Sequence, residues 1–511
     1  MHTTTLSLRL LPAIFLLAAP ALAQVQPASV FSDHMVLQRN KPIAVWGTAT
    51  AGEKVTLTLD TLTATATADQ DGRWLAHLDA HAAGGPFTLQ LEGKNKVTIN
   101  DVLLGDVWVC SGQSNMSWTV ERHKDSLAAV TDAKDVQLRL LTVPRAANAK
   151  PQLSTKAKWQ TASPETLRKF SAVAYGFGRH LRQHVNVPIG LVHNSWGGTR
   201  AEAWTREAML KKHDVLEPIL SRWDVTYKRY PRAKKRFDEA LSQWQAKAKL
   251  ARAAGKKPPR KPGPPLGPDH RHAPARLFHG MVTPLLPMSI RGVIWYQGEA
   301  NALRAYQYRT LFPALIRDWR DAFGQGQLPF LFVQLASFGA KTTHPHTWPE
   351  LREAQTMTLD LPNTGMACTI DLGLEKNIHP PHKLEVGRRL ALWALAGTYG
   401  QDVVPSGPLY AHHTIEGDQV RISFEHVGKG LTCKGDTLTG FEIATADGKF
   451  LPATAKIDGD TVVVSHPGMK APRHVRYAWL NWPAYSLFNA DGLPASSFRT
   501  DQRTGVTAEA R

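Results

Sequence analysis

Hydrophobic and polar residues alternate with a period of two near both ends of the chain, and this pattern predicts β-strands there. Residues 55–59 alternate in this way and are followed by an Asp-Gly pair, which is typical of a tight hairpin turn. The pattern returns near the other end, where residues 461–464 form an apolar strand after another Asp-Gly turn. We therefore predict sandwich-like β modules at residues 24–100 and 401–511.

Between these modules, residues 101–400 show short apolar runs that alternate with amphipathic helical stretches. The predicted strands are 107–110, 190–193, 292–296, 329–335 and 366–370, and the predicted helices are 172–184, 305–323, 350–358 and 383–399. This alternation favours an α/β domain with a mostly parallel sheet and helices on both faces. In such sheets the functional residues lie at the carboxyl ends of the strands.

The composition is that of a folded protein, with 43% hydrophobic and 20% charged residues in 511 positions. The net charge of +18 is concentrated, because sixteen Lys or Arg and only four Asp or Glu lie in residues 222–276. A helical first half precedes a proline-rich stretch there, so we predict an insertion at residues 206–276. It is either a solvated surface element or a contact for an acidic polymer or a membrane surface. Nucleic acid is disfavoured because aromatic residues are not interleaved with the basic ones.

Residues 1–23 have the pattern of a secretory signal peptide. Arg9 precedes an apolar run at residues 10–17, and Ala21 and Ala23 form a cleavage site before Gln24. The run is too short to span a bilayer, which argues against a membrane anchor. We therefore predict an exported protein, periplasmic or secreted, without stable membrane insertion. Its three cysteines are too few for a disulfide scaffold and show no zinc-binding spacing.

Four polar loops follow predicted strands of the central region. Ser114 lies in a Ser-Gly-Gln-Ser-Asn turn, which can present its hydroxyl and its backbone N–H at the top of a sheet. Gly197 and Gly198 would let a backbone N–H point into a site. Gln297 can donate a side-chain N–H, and His379 would be a general base beside Ser114. Taken singly, each loop is more typical of an ordinary turn, a helix cap or a structural histidine.

Together and in this order, the loops resemble those of the SGNH-hydrolase superfamily and, within it, the sialate O-acetylesterase-like carbohydrate esterases. The segment Val-Phe-Ser-Asp-His-Met-Val-Leu-Gln at residues 30–38 and the Trp482-Pro483 pair are also similar to that family. Bacterial acetylesterases of xyloglucan utilisation show the strongest resemblance. The resemblance implies a flavodoxin-like sheet and an O-acetylesterase that acts on acetylated oligo- or polysaccharides without a metal or an organic cofactor.

Carried over to this chain, the family pattern makes Ser114 the nucleophile and His379 its base. The oxyanion hole would consist of the Ser114 amide, the amide of Gly197 or Gly198, and the Gln297 side chain. These groups would form and then hydrolyse an acetyl-enzyme.

Asn377 departs from the family pattern, because relatives usually carry aspartate two residues before the histidine. Asparagine can orient the imidazole through a hydrogen bond, but it cannot stabilise imidazolium with a full charge. Three hypotheses follow: a Ser-His dyad with Asn377 as orienter, rescue by another carboxylate, or a weakened enzyme. The first is favoured because Ser114 and the oxyanion groups are intact. Asp371 and Glu375 lie nearby in sequence, although neither is at the usual position.

Further pocket residues are expected around this site. They are Trp118, Arg200, Glu202, Trp204, Glu299, Gln334 and Arg352. Packing or a salt bridge is the alternative for the Trp and Arg residues, and Glu299 is expected to brace the oxyanion loop. An aromatic cluster near the end of the chain (Tyr477, Trp479, Trp482 and Tyr485) is either core or a sugar-stacking platform.

Several functions compete with the acetylesterase of a plant polysaccharide. A sialate O-acetylesterase acts on a different sugar, and a glycan-binding relative would have lost the chemistry. An esterase for longer acyl chains would need a larger pocket, and a peptidase is disfavoured because no peptide cleft is indicated.

Overall fold

Seven strands form the first module, as the alternating pattern predicts. The computed structural model describes residues 24–339 and 344–510, so the predicted signal peptide lies outside the described residues. The strands are β1 (Gln26–Pro27), β2 (Val36–Gln38), β3 (Ile43–Thr48), β4 (Lys54–Leu59), β5 (Leu62–Thr67), β6 (Arg73–Leu78) and β7 (Gly84–Glu92). Strands β1, β3 and β6 form one sheet, whereas β2, β4, β5 and β7 belong to the large central sheet.

The central sheet has the strand order β10-β9-β11-β8-β12-β13-β14. Its strands are β8 (Lys96–Gly112), β9 (Asp135–Thr142), β10 (Trp159–Ala162), β11 (Ile189–Ser195), β12 (Gly292–Tyr296), β13 (Phe330–Val333) and β14 (Thr364–Ala367). All neighbours on this path are parallel except β9 and β10. The five predicted strands correspond to β8, β11, β12, β13 and β14, while β9 and the edge strand β10 were not predicted.

Strand β8 belongs to both parts of the molecule. Its first half pairs antiparallel with β7, and its second half pairs parallel with β11 and β12. The expected boundary at residue 100 therefore falls inside a strand. One hydrophobic cluster accordingly extends from Val25 to Leu409.

Helices cover both faces of the central sheet, as predicted. Trp108 on β8 packs against Phe177 of one helix, with ring centroids 5.0 Å apart, and Trp295 on β12 packs against Phe312 of another at 6.5 Å. Trp295 is in register with Ser111, three positions beyond Trp108, so the two tryptophans point to opposite faces. Burial on both faces explains why the sequences of these strands are continuous apolar runs and do not alternate.

The helices include the four that the hydrophobic pattern predicts. They are α1 (Ser114–Ser117), α2 (Lys124–Ala128), α3 (Pro164–Arg168), α4 (Ala172–His184), α5 (Glu207–Leu210), α6 (Glu217–Ala253), α7 (Ala305–Phe323), α8 (Thr347–Met357) and α9 (Lys383–Gly397). The 37-residue helix α6 forms the first half of the basic insertion, and the proline-rich stretch after it is not helical, as expected. No helix in the described residues is long and apolar enough to cross a membrane.

Three small sheets form the last part of the chain. They contain β15 (Leu409–Glu416), β16 (Gln419–Glu425), β17 (Leu431–Cys433), β18 (Phe441–Ala444), β19 (Leu451–Pro452), β20 (Thr454–Asp458), β21 (Thr461–Ser465), β22 (His474–Tyr477), β23 (Leu487–Asn489) and β24 (Phe498–Arg499). Tyr477 and Trp479 of the aromatic cluster are buried, which makes them core residues, whereas Trp482 is 41% exposed. The overall architecture is thus a mixed α/β fold with a large central sheet and extra sheets at the ends.

Candidate active site

The carboxyl ends of β8, β11 and β12 lie at one level, and the loops that leave them meet there. Gly112, at the end of β8, is in register with Ser195 of β11 and with Tyr296 of β12. The predicted nucleophile turn, glycine loop and glutamine loop begin directly after these three residues. The structure therefore brings three of the four predicted loops to the sheet edge where α/β proteins hold their functional groups.

Ser114 begins helix α1, in a turn that depends on Gly112. Gly112 has a φ of +134°, and an added Cβ would lie 2.1 Å from the carbonyl oxygen of Tyr296, so only glycine fits. An added Cβ at Gly197 would lie 3.3 Å from Ser114 Cβ. The glycine loop therefore packs directly against the predicted nucleophile.

Free backbone donors lie on the nucleophile turn and on the glycine loop that packs against it. The N–H groups of Ser114, Gly197 and Gly198 donate no hydrogen bond to any acceptor in residues 24–339 and 344–510. Unpaired backbone donors next to a nucleophile are what an oxyanion hole requires, because they need no reorganisation when negative charge develops.

His379 is brought to the same place by the residues beside it. The Asn115 side-chain amide donates to the carbonyl oxygen of Ile378 at 3.1 Å, which ties the residue after Ser114 to the residue before His379. The Trp118 indole stacks on the imidazole, with ring centroids 5.3 Å apart and planes inclined by 25°. The fourth predicted loop thus joins the other three.

The surroundings of His379 favour its neutral form. Burial lowers the pKa of His379, and the positive charges of Lys383 and Arg122 lower it further. The half-buried ring is therefore neutral at neutral pH and can accept a proton. Neither the ring nor the Ser114 hydroxyl has a hydrogen-bond partner within the described part of the chain. Catalytic hydrogen bonds often tighten only when substrate binds.

The Asn377 side chain does not hydrogen-bond the imidazole in this structure, contrary to the favoured hypothesis. Its side-chain oxygen accepts from the backbone N–H of His379 at 2.9 Å. A short asparagine side chain reaches the backbone two residues on more readily than the ring, as in an Asx turn. Asn377 therefore supports the loop that carries the base.

Rescue of the dyad by a nearby carboxylate is also not what the structure shows. Asp371 receives two hydrogen bonds from the Arg389 guanidinium, at 2.6 and 2.7 Å. Glu375 is exposed, and its backbone oxygen accepts from Gly339. The charges that act on the His379 ring come instead from Lys383 and Arg122.

Gln297 is not available as the predicted oxyanion donor. It is fully buried, and its amide nitrogen donates to Asn301 Oδ1 at 2.7 Å and to the carbonyl oxygen of Thr199 at 3.3 Å. Its side-chain oxygen accepts from the Tyr308 hydroxyl at 2.9 Å. One of these bonds holds the end of the glycine loop at Thr199 and the other stays within the glutamine loop, so only the backbone amides remain free for an oxyanion.

Four of the predicted pocket residues are buried structural groups instead. Glu202 pairs with Arg304 at 2.6 Å, and Trp204 donates to the Thr199 hydroxyl at 3.0 Å. Gln334 and Arg352 bond to the last part of the chain. All four are 0% exposed, because distant segments pack over them, so they cannot touch a substrate.

The other three predicted pocket residues differ in their surroundings. Trp118 contacts His379, as described above. Glu299 is half-buried and accepts a hydrogen bond from Asn115, in agreement with its expected bracing role. Arg200 is half-buried on the loop after Gly198 and stays a candidate for substrate contact.

A second serine–histidine pair lies beside this site. Ser195 Oγ is 2.7 Å from His193 Nε2 and 2.7 Å from Ser117 Oγ. Ser195 is only 3% exposed and His193 only 7%, and burial together with Arg145 lowers the pKa of His193 to about 4. A substrate cannot reach this pair, so Ser114, which is half-buried, remains the better candidate nucleophile.

Sequence reasoning missed Asn115 and Lys383, two buried residues that join the loops. Lys383 Nζ donates to Asn115 Oδ1 at 2.7 Å. Lys383 is the first residue of α9, where a cation is disfavoured by the helix dipole, and this is the signal that could have drawn attention to it. No group of His, Cys, Asp and Glu side chains suited to a metal ion occurs in the described residues.

A family model described as "Carbohydrate esterase, sialic acid-specific acetylesterase" matches residues 104–248 and 275–395. These ranges contain the nucleophile turn, the glycine loop, the glutamine loop and the histidine loop. They leave out the proline-rich half of the basic insertion.

Individual relatives cover nearly the whole chain. The sialate O-acetylesterase of Mus musculus is 32% identical over 502 residues, covering 89% of this chain and 90% of the mouse protein. The Homo sapiens enzyme of the same name is 31% identical, covering 94% and 93%. The crystal structure of a carbohydrate acetylesterase from Xanthomonas citri matches with a TM-score of 0.80 at 37% identity, covering 94% of this chain and all of that one. The resemblance inferred from the motifs is thus confirmed, and the chain belongs to the carbohydrate esterase family of the sialic acid-specific acetylesterases.

Proposed function

We propose that this esterase is an exported carbohydrate O-acetylesterase that removes acetyl groups from a plant cell-wall polysaccharide such as xyloglucan. Ser114 is the nucleophile and His379 the base in this proposal. The order β11-β8-β12-β13-β14 in the central sheet is that of a flavodoxin-like doubly wound sheet and supports the SGNH-type assignment.

The hydrogen bond from Asn115 to Ile378 carries the mechanistic part of the proposal. It fastens the residue after Ser114 to the residue before His379, across 263 positions of sequence. The free amides of Ser114, Gly197 and Gly198 add the electrostatic element that acyl transfer needs.

The reaction follows from these groups. Neutral His379 takes the Ser114 proton as Oγ attacks the acetyl carbonyl carbon, and the free backbone amides stabilise the tetrahedral anion. The anion collapses, the bond to the sugar oxygen breaks, and His379 returns the proton to that oxygen. Water then attacks the acetyl-enzyme with His379 as base, and acetate leaves while Ser114 regains its proton. Each oxyanion donor contributes about 3 kcal/mol to the stability of the transition state.

The choice of a polysaccharide rests on the resemblance of the motifs to bacterial xyloglucan acetylesterases, and the 37% identity to a bacterial carbohydrate acetylesterase is compatible with it. O-acetylated sialic acid is the second candidate, because the mouse and human relatives are sialate O-acetylesterases. Both substrates present an acetyl ester of a sugar hydroxyl, so the same site serves either.

Acetate release by the purified protein tests the proposal. The substrates are acetylated xyloglucan, xylan, pectin and O-acetylated sialic acid, with an acetyl and a butyryl aryl ester beside them. We expect release from one glycan, and a fall in kcat of about a thousandfold or more in Ser114→Ala and His379→Ala. Ser195→Ala is the matched control, because it removes a histidine-bonded serine hydroxyl that substrate cannot reach.

Other outcomes point to other functions. Sugar binding without acetate release would make the chain a glycan-binding relative, and a preference for butyryl esters would make it an esterase of longer acyl chains. Activity lost in Ser195→Ala but kept in Ser114→Ala would move the nucleophile to the second pair.

Export and surface contact are separate parts of the proposal. Export rests on the sequence of residues 1–23, and a mature protein that begins at Gln24 in the periplasm or the medium would support it. Contact of the basic insertion with an acidic polymer stays a prediction. Binding to polygalacturonate that weakens as salt is raised would be its signature.

A further inference from the structure

Lys383 is a lysine in an environment that opposes its charge. It is 0% exposed, and it is the first residue of α9, where the positive end of the helix dipole also disfavours a cation. A buried ammonium is costly unless it is paired and hydrogen-bonded. The contacts of Lys383 must therefore account for its presence.

These contacts reach both predicted catalytic loops. Lys383 Nζ donates to Asn115 Oδ1 at 2.7 Å and to the carbonyl oxygen of Pro380 at 2.5 Å. Asn115 directly follows Ser114, and Pro380 directly follows His379. One ammonium group thus holds the neighbour of the nucleophile and the neighbour of the base.

The Asn115 side chain adds further hydrogen bonds between the two catalytic loops. Its oxygen accepts from Lys383, while its nitrogen donates to the carbonyl oxygen of Ile378 at 3.1 Å and to the Glu299 carboxylate. Both amide hydrogens and the oxygen of this side chain, which is 2% exposed, thus have partners within the protein. The turn that carries Ser114 therefore cannot shift against the loop that carries His379 without breaking buried polar bonds.

We propose that Lys383 is a positioning residue of the acetylesterase, whose buried ammonium clamps the Ser114 turn to the His379 loop. The proposal rests on the function proposed above, in which those two residues form the catalytic pair. The Lys383 clamp replaces the missing aspartate in one respect only. It fixes the position of His379, but it leaves the imidazole without a charged hydrogen-bond partner.

The charged and titratable groups around Lys383 come from three elements. Tyr296 ends β12 and Glu299 lies three residues beyond it, Arg122 lies after α1 over the Trp118 ring, and His379 is on the loop that leads into α9. Lys383 Nζ is 5.6 Å from the centre of the Tyr296 ring and 5.8 Å from that of Trp118. Burial lowers the pKa of Lys383 to about 7, opposed by Glu299, whose own pKa is raised by burial.

The clamp has a consequence that simple packing would not have. Lys383 is one of the two positive charges that lower the pKa of His379. A neutral residue at this position therefore raises that pKa, and the acid limb of kcat/KM moves to higher pH. Because Lys383 is fully buried, it does not touch the sugar, and KM changes little while kcat falls.

The test compares Lys383→Met with Lys383→Arg on an aryl acetate and on the preferred glycan. We expect Lys383→Met to lower kcat about tenfold or more, with KM within about twofold and the acid limb shifted upward. Lys383→Arg keeps the charge, so its acid limb stays in place. Lys41→Met is the matched control, because Lys41 also has a lowered pKa and bonds the Ile290 carbonyl at 2.7 Å, before the opposite end of β12.

Asn115→Ala alone tests the clamp if Lys383→Met folds poorly, and it completes a double-mutant cycle if Lys383→Met folds. Asn115→Ala removes the clamp and keeps the charge, so kcat falls and the acid limb does not move. If both residues act through one bond, the double variant loses little more than either single variant. A wild-type kcat in Asn115→Ala, or additive losses, would overturn the proposal.

The same variants separate the role of Lys383 from the Ser-His mechanism. If Ser114→Ala abolishes acetate release while Lys383→Met keeps the wild-type kcat and acid limb, the function stands and the clamp is rejected. If Ser114→Ala retains its activity, the Ser-His mechanism itself is rejected.

Discussion

The indole of Trp118 lies over the imidazole of His379, with ring centroids 5.3 Å apart and planes inclined by 25°. Trp118 directly follows the helix that Ser114 begins. The turn that carries the nucleophile therefore also carries the side chain that supports the base. A residue expected from the sequence to bind substrate thus contacts the base, which has no ring hydrogen bond among the described residues.

Loss of this stacked contact should reduce activity without abolishing it. An offset aromatic pair contributes about 1 kcal/mol, so Trp118→Ala should lower kcat/KM about fivefold on an aryl acetate. Trp118→Phe keeps a ring and should retain most of the activity. A raised KM for the glycan with unchanged kcat would show instead that Trp118 contacts the sugar.

The pH dependence of the enzyme should follow the lowered pKa of His379. The base must be neutral, and burial with the charges of Lys383 and Arg122 holds its pKa below the ordinary value of 6.5. Activity should therefore persist as pH falls to 6.5 and be lost only below it, when imidazolium forms. The measurement is kcat/KM against pH, and a midpoint above 6.5 would contradict it. Arg122→Gln should move the midpoint upward.

Asn377 should matter through the backbone of the histidine loop. Asn377→Ala removes a hydrogen bond to the His379 N–H worth about 1 kcal/mol, so kcat/KM should fall about fivefold. Asn377→Asp keeps that bond and adds a negative charge near the ring, which raises the pKa of His379 and shifts the acid limb of kcat/KM to higher pH. A rise in kcat of more than about tenfold in Asn377→Asp would contradict this, because it would show that the dyad lacks a charged orienter.

Arg352 should affect stability and not substrate binding. It donates to the carbonyl oxygens of Ala478 and Leu480, at 3.1 and 2.7 Å, and to the Ser497 hydroxyl at 3.0 Å. Arg352→Ala leaves these buried acceptors unpaired, at about 1–3 kcal/mol for each, and should lower the thermal midpoint markedly. Its KM should be unchanged.

Exposed Arg229→Ala is the control for the loss of a positive charge. An Arg352→Ala variant with normal stability and a raised KM would restore the sequence-based view that Arg352 lies in the substrate pocket.

Local sequence patterns were sufficient to predict most of the central strands and the main helices, and to point to the candidate residues. Strand β12 and helices α4 and α7 have the predicted bounds, because the pattern of apolar and polar residues along each segment shows which positions are buried. Ser114, Gly197 and His379 could be named because the four loops together, in this order, resemble those of a known family. The edge strand β10 was missed, because a short segment with little alternation carries no such signal.

What the sequence alone determined is therefore the order of strands, helices and polar loops, and with it the family. Only the tertiary structure decided which polar groups face a substrate and which are buried. Gln297 and Arg352 could not be placed from sequence, because the segments that surround them come from other parts of the chain. The same holds for Lys383 and Asn115, whose hydrogen bond joins residues 268 positions apart. Hydrogen bonds and burial depend on such distant neighbours, whereas the hydrophobic pattern depends on adjacent residues.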